Sequence, residues 1–208
     1  MKENSPVKIR VAIIEDNRFI LDGLKLVLDA EQSIELIGSY PSCEDAFYYD
    51  DLGNAELVLM DINLPGISGI EGVKYIKKHL PAIKVIICTA YEDDENVFNA
   101  IAAGAVGFLS KKASPTELIK TIKMVNNGGS PITPNVAVKI ISFFNKQEIK
   151  QNGVALTETE KKVLEKISLG KSYKNTADEL SLTDKEVLTH MRNVYEKMQK
   201  NINNLIVK

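Results

Sequence analysis

The chain has no tryptophan, only two cysteines in 208 residues, and no long hydrophobic run. Two cysteines cannot build a disulfide framework, and Cys88 lies inside an apolar strand pattern, which predicts a small buried hydrophobic side chain. Cys43 has no partner residues at metal-ligand spacing. No apolar stretch approaches the roughly 18 residues of a membrane span, and the N-terminus has no apolar signal segment. We therefore expect a cytoplasmic protein that does not enter the membrane.

Charge is distributed unevenly along the sequence. Residues 1–149 carry 15 Lys and Arg against 20 Asp and Glu, a net charge of −5, whereas residues 150–208 carry 11 against 8, a net charge of +3. The length fits two modest domains. A mildly basic C-terminal domain permits nucleic-acid binding without requiring it.

Short apolar runs alternate about five times with amphipathic stretches in the first half, which predicts an α/β fold with a doubly wound parallel sheet. We expect strands over residues 8–14, 34–40, 57–60, 84–88 and 106–109. Polar residues follow four of these runs, and the carboxyl ends of parallel strands form one crevice. These residues are Glu15, Asp16, Asp61, Thr89 and Lys111. Clustered carboxylates favour Mg²⁺ and a lysine binds anions, so the set indicates phosphoryl chemistry.

The same residues carry a family resemblance. Glu15-Asp16 follows the first strand, Met60-Asp61-Ile62-Asn63-Leu64-Pro65-Gly66-Ile67-Ser68-Gly69 the third, Thr89-Ala90 the fourth and Lys111 the fifth. In this order the chain resembles the receiver domain of two-component response regulators over roughly its first three-fifths. The resemblance implies a flavodoxin-like fold in which Asp61 accepts a phosphoryl group from a sensor histidine kinase.

The resemblance also implies roles for the neighbouring residues. Mg²⁺ would be bound by Asp16, Asp61 and the backbone carbonyl of Asn63, with Glu15 acting through water. Thr89 and Lys111 would hold the phosphoryl group, and Phe108 would be the aromatic switch residue. Asn63 and Tyr91 would tune the rate of dephosphorylation.

The organisation along the chain predicts a receiver domain at 1–128, a linker with a short helix at 129–153 and a helical domain at 154–208. Ser114-Pro115-Thr116-Glu117 is a helix-start signal, and that helix should end near Gly128-Gly129. The linker should contain a helix over 136–144 and a polar tether over 145–153. Later helices are expected over 157–169, 172–180 and 183–198, with a weak one over 203–207.

The last domain carries a second resemblance. Two capping boxes, starting at Thr157 and Thr183, and a tight turn at 180–182 predict a helix-turn-helix. The domain resembles the LuxR-type DNA-binding domain of NarL/FixJ regulators through the following residues: Leu156, Thr157, Glu160, Val163, Leu164, Gly170, Ser172, Lys174, Ala177, Leu180, Val187, Thr189, His190, Asn193, Tyr195 and Lys197. Thr176, Glu186 and Leu188 depart from the pattern. Glu186 has a structural explanation as the third residue of a capping box.

If the helix over 183–198 enters the major groove, helical periodicity turns one broad face toward DNA and Val187, Met191 and Val194 toward the core. The DNA-binding candidates are Lys174, Lys185, Leu188, Thr189, Arg192 and Lys197. Arg192 is the best candidate for a phosphate or guanine contact, and Leu188 for a thymine methyl.

Three functions are compatible with these patterns. The leading interpretation is a regulator of transcription that dimerises on phosphorylation and binds paired half-sites on double-stranded DNA. A haloacid-dehalogenase-type phosphatase would need a second acid two residues after its nucleophile, where this chain has Asn63. The third interpretation is a signalling module whose helical domain binds protein rather than DNA, because of the departures at Thr176, Glu186 and Leu188.

Overall fold

The computed structural model describes residues 8–48, 50–90, 94–145 and 153–206. Tyr91, most of the predicted polar tether and the last residue of the weak C-terminal helix lie outside the described residues. Within the described residues, no helix combines the length and hydrophobicity needed to cross a bilayer.

The first domain contains a five-stranded, fully parallel sheet in the order β2-β1-β3-β4-β5. The strands are β1 Ile9–Ile14, β2 Ile34–Tyr40, β3 Leu57–Met60, β4 Lys84–Thr89 and β5 Gly107–Ser110. These bounds agree with the predicted strands to within one residue at each end. The doubly wound α/β fold is therefore confirmed.

Helices cover both faces of the sheet: α1 Arg18–Asp29, α2 Cys43–Tyr48, α3 Gly69–His79, α4 Asp94–Ala103 and α5 Pro115–Asn126, with a 3-10 helix at Asp50–Asn54. Each β-strand alternates its side chains between two cores, so that Ile14 and Met60 contribute to one core and Ile13 and Leu59 to the other. The side chains of both cores are closely packed and largely buried, which fixes the strand ends that carry the polar candidates.

The predicted helix starts are present as local hydrogen bonds. Ser114 accepts the N–H of Glu117 at the start of α5, with Pro115 in the first helical position. The helix ends at Asn126, and Gly128 has a φ of 84°, the left-handed conformation that glycine adopts without strain.

The remaining helices are α6 Pro134–Asn145, α7 Glu158–Ser168, α8 Tyr173–Leu180 and α9 Asp184–Ile206. The linker helix α6 is slightly longer than predicted and packs against α7 of the helical domain. It also touches the receiver, because the Phe143 ring lies 5.4 Å from the ring of Phe98 on α4.

The prediction of two separate C-terminal helices is wrong, since α9 runs unbroken from Asp184 to Ile206. No glycine or proline interrupts this stretch, and residues near its expected break contact the rest of the helical domain. The Asn201 side chain accepts the N–H of Val154 at 2.8 Å and donates to its carbonyl at 3.0 Å, while Ile202 is buried. These contacts extend the helix past the expected break.

Candidate functional site

The polar residues predicted to converge lie together at the carboxyl edge of the sheet. Carboxylate oxygens of Glu15, Asp16 and Asp61 all lie within 4.8 Å of one another. Asp61 and Glu15 are buried, at 4% and 1% exposure, whereas Asp16 is exposed. The site is therefore a set of three acids with one open side.

Lys111 joins this set as its cation. Its Nζ lies 2.7 Å from Oε2 of Glu15 and 2.9 Å from Oδ2 of Asp61. In this state the lysine bridges two of the three acids. Glu15 and Asp61 are nearly buried, so solvent screens the repulsion between their negative charges only weakly. The positive charge of Lys111 offsets this repulsion instead.

Burial and charge shift the acid–base properties of these groups. Burial raises the pKa of Glu15, although the hydrogen bond and charge of Lys111 oppose the shift. Burial alone would lower the pKa of Lys111, but the hydrogen bonds and charges of Glu15 and Asp61 outweigh it and raise that pKa. Lys111 therefore stays charged at neutral pH. Burial also raises the pKa of the nearby Cys88 thiol to about 12, so the thiol stays protonated at neutral pH.

The remaining candidates lie on strands β4 and β5 and in the loop after β3. Thr89 is buried at the end of β4, and Phe108 is 2% exposed on β5. Asn63 is exposed in the loop after β3. Asp61 Oδ1 accepts the N–H of Ile62 at 2.8 Å, which orients the carboxylate.

Glu44 braces the loop after Asp61, a role for which no sequence pattern provides a signal. Glu44 lies in the first turn of α2, and its Oε1 accepts the N–H of Ile67 at 2.8 Å. Gly66 has a φ of 69°, and a Cβ on it would lie only 2.1 Å from the same Glu44 oxygen. The loop therefore needs glycine at this position.

In the helical domain, Val187, Met191 and Val194 are fully buried, as the periodicity predicted. Thr183 and Glu186 form the predicted capping box: Glu186 accepts the N–H of Thr183 at 2.7 Å and donates its own N–H to the threonine hydroxyl at 3.2 Å. The structural explanation for Glu186 is confirmed.

The DNA-binding candidates fall into different environments. Lys174, Lys185 and Thr189 are exposed, and the Thr189 hydroxyl donates to the carbonyl of Lys185 at 2.9 Å. Leu188 and Arg192 lie against the linker: a Cβ on Gly129 would come within 2.6 Å of Leu188 Cδ2, and one on Gly128 within 3.7 Å of Arg192 Nη1.

Lys197 has a partner inside its own domain. Its Nζ lies 2.6 Å from Oε2 of Glu160, a buried residue that also accepts the N–H of Thr157 in the capping box of α7. Burial alone would raise the pKa of Glu160, but Lys197 and Thr157 outweigh it and hold that pKa below its ordinary value. Lys197 therefore stabilises the junction of α7 and α9.

Comparison with known proteins agrees with this architecture. The family model described as response regulator receiver domain matches residues 11–123, and that described as bacterial regulatory proteins, luxR family, matches residues 154–207. The transcriptional regulatory protein YxjL of Bacillus subtilis is 32% identical, with 91% of this chain and 89% of YxjL covered. UhpA of Escherichia coli is also 32% identical, with 91% of each chain covered.

A solved structure of RcsB from Salmonella typhimurium has the same fold, with a TM-score of 0.59 at 19% identity over 97% of this chain and all of RcsB. The chain belongs to the response regulators that join a receiver to a LuxR-type domain, the NarL/FixJ type. It is a phosphorylation-controlled, DNA-binding regulator of transcription in a two-component system. This membership does not favour the phosphatase or the protein-binding interpretation.

Proposed function

We propose that Asp61 is the residue that accepts the phosphoryl group from a phosphohistidine of a sensor kinase. The observation that carries this proposal is the position of its carboxylate, buried at the end of β3 between Lys111 and the acids Glu15 and Asp16. An Asp61 oxygen forms a bond to phosphorus while the phosphorus–nitrogen bond breaks, and the electron pair stays with the imidazole. We also infer that water can attack the phosphorus of phosphorylated Asp61, which breaks the bond to the Asp61 oxygen, releases inorganic phosphate and restores the carboxylate.

The three carboxylates fit a divalent cation with a preference for oxygen ligands. Asp16, Asp61 and the backbone carbonyl of Asn63 would hold Mg²⁺, with Glu15 acting through water. When bound, the ion neutralises charge on the phosphoryl oxygens. The exposed side of the cluster, at Asp16, leaves room for this ion and for the incoming phosphohistidine.

Lys111 has two successive roles in this proposal. Before phosphorylation it neutralises Glu15 and Asp61 at 2.7 and 2.9 Å. After phosphorylation its ammonium contacts the phosphoryl oxygens, which carry more negative charge than the carboxylate they replace. Thr89 contacts the same oxygens, and Phe108 moves with it. These movements shift the population of a pre-existing active state.

Contacts with the receiver and the linker restrict the access of DNA to helix α9. In this state α9 packs against α4 of the receiver, and Leu188 lies on the linker glycines. Lys174, Lys185, Leu188, Thr189 and Arg192 cannot all reach one DNA groove while these contacts persist. Phosphorylation would open them and favour a homodimer on paired half-sites, and a solved RcsB structure is described as two dimers bound to two parallel DNAs. We place this action in the cytoplasm, where the DNA lies.

Phosphoryl labelling tests the acceptor residue. Acetyl phosphate with Mg²⁺ should add one phosphoryl group to the wild-type chain, and intact mass spectrometry detects it. Asp61→Asn should take up none, whereas Asp29→Asn, which changes an exposed acid at the end of α1, should label as wild type. One phosphoryl group on the Asp61 variant would refute the assignment.

A further inference from the structure

The segment from Gly128 to Ile132 adds to the open edge of the sheet. β5 is the last strand, and its Phe108 N–H donates to the carbonyl of Pro131 at 3.0 Å. A Cβ on Gly107 would lie 3.3 Å from the same oxygen, so the two backbones run in close contact. Ser130 and Ile132 are buried at 3% and 8% exposure. The position of this segment therefore depends on the backbone of β5 at Phe108, the residue predicted to be the aromatic switch.

The helical domain holds the same segment through Tyr173, the first residue of α8. Its hydroxyl accepts the N–H of Ile132 at 3.2 Å and donates to the carbonyl of Ser130 at 3.4 Å. These two residues flank Pro131, the residue that pairs with β5. Burial raises the pKa of Tyr173, which keeps the hydroxyl protonated and able to donate.

A second contact holds the segment from the DNA-binding helix. Leu188 packs so closely on Gly129 that a Cβ there would come within 2.6 Å of its Cδ2. The receiver and both helices of the helix-turn-helix therefore contact one five-residue stretch of backbone.

We propose that residues 128–132 form a latch and that Tyr173 is the positioning residue that couples β5 to the DNA-binding helices. This inference rests on the proposed function, because it names how the phosphorylated site controls DNA binding. In this proposal, a rearrangement of β5 at Phe108 carries Pro131 with it, and the displacement of Ser130 and Ile132 on either side breaks their hydrogen bonds to the Tyr173 hydroxyl. The hydrogen bonds are therefore made in the closed state alone, which favours the unphosphorylated receiver.

Coupling is reciprocal, so the latch must also oppose phosphorylation. A change that weakens the latch should raise the affinity of the receiver for a phosphoryl analogue, even though the change lies in the other domain. A merely structural role of Tyr173 within the helical domain would not alter that affinity.

The test uses the full chain with Tyr173→Phe, which keeps the ring and leaves the Ile132 N–H without its partner in the closed state. Titration with beryllofluoride and Mg²⁺, followed by ¹⁹F NMR, should show affinity raised roughly two- to tenfold, the effect of one to two hydrogen bonds. The affinity of the unphosphorylated chain for DNA should rise by a similar factor, and that of the phosphorylated chain should change little. Tyr75→Phe, on the exposed face of α3, is the matched control and should behave as wild type.

Gly129→Ala is a second variant. Its added methyl would lie 2.6 Å from Leu188 Cδ2 in the closed state, against 3.1 Å from the Met124 carbonyl oxygen within the receiver, so Leu188 must move most, and the beryllofluoride affinity should also rise. Beryllofluoride affinities equal to wild type in both variants would overturn the latch. Wild-type chain that binds beryllofluoride but never DNA would instead overturn the proposed function, and the NMR titration would still decide on the latch because it needs no DNA.

Discussion

Replacing Lys111 by methionine removes the only cation in contact with two nearly buried carboxylates, among the residues that the structure describes. The lysine Nζ lies 2.7 Å from Glu15 and 2.9 Å from Asp61, with side-chain exposures of 11%, 2% and 5% for the three residues. Methionine keeps most of the volume of the side chain, so the variant changes charge more than packing. The two acids then face each other without a counterion, and the receiver should lose stability.

The magnitude follows from the cost of neutralising one acid. The ordinary pKa of glutamate is 4.5, and each pKa unit is worth about 1.36 kcal/mol, so protonating Glu15 near pH 7 costs about 3.4 kcal/mol. The loss of unfolding free energy cannot exceed this protonation cost, because Glu15 would bind a proton once its charge became more costly than that. We expect Lys111→Met to lower the free energy of unfolding by about 3 kcal/mol near pH 7, or the melting temperature by about 6 to 12 °C.

The loss should depend on pH with a defined sign. In the variant the folded state binds a proton at Glu15 more tightly than the unfolded chain does, because the pKa is raised further. The free energy of unfolding therefore falls as the pH rises, by up to about 1.36 kcal/mol per pH unit, and the deficit vanishes below about pH 4.5. Wild-type Glu15 has a raised pKa as well, so its effect has the same sign and a smaller size.

Thermal and urea unfolding between about pH 5 and pH 8 measure this effect. Lys112→Met is the matched control, since Lys112 is the exposed neighbour of Lys111. Adding Mg²⁺ should restore more stability to Lys111→Met than to wild type, because the metal replaces the missing cation. A loss below about 1 kcal/mol, or a loss independent of pH, would contradict the charge balance that we assign to this site.

Three further substitutions test the helical domain. Thr176 is buried and its hydroxyl has no hydrogen-bond partner within the described residues, so Thr176→Val should raise the free energy of unfolding by about 1 kcal/mol in urea titration; a decrease would contradict this. Lys197→Met removes the cation from the buried carboxylate of Glu160, which keeps the Thr157 N–H as a hydrogen-bond partner, and should cost about 2 kcal/mol, whereas exposed Lys174→Met should cost little. Because the pKa of Glu160 is held below its ordinary value, the stabilisation by Lys197 is present above about pH 4.5 and is lost as the pH falls further. Equal losses of stability in Lys197→Met and Lys174→Met would contradict this role of Lys197. Arg192→Ala should lower DNA affinity and flatten the salt dependence by about one unit, and unchanged binding by the folded variant would remove Arg192 from the DNA contacts.

The receiver could be predicted in detail because its signals are local. Each short apolar run is followed directly by the residue that the strand end delivers to the crevice, as with Asp61 after β3 and Lys111 after β5. Parallel strands bring these ends to one edge, so convergence follows from topology without knowledge of any long-range contact. The same local signals fixed Ser114 and Thr183 as helix starts.

Contacts between residues far apart in the chain have no comparable local signal in the sequence. Tyr173 follows a helix cap and reads as an ordinary helix residue, yet its hydroxyl bonds to Ile132, forty-one positions earlier. Leu188 reads as a departure on a DNA-binding face, yet in this state it packs on Gly129. The unbroken α9 depends on Asn201 binding the backbone of Val154, a non-local contact as well.

We propose that phosphorylation at the receiver controls DNA binding by the helical domain. Selection of genomic DNA fragments by the purified full chain, with and without beryllofluoride and Mg²⁺, measures this control. We predict that beryllofluoride enriches a set of fragments sharing paired half-sites about one helical turn apart, and that Asp61→Asn enriches none of them under either condition. Equal enrichment with and without beryllofluoride, or no enrichment by the beryllofluoride-bound wild type, would contradict the claim.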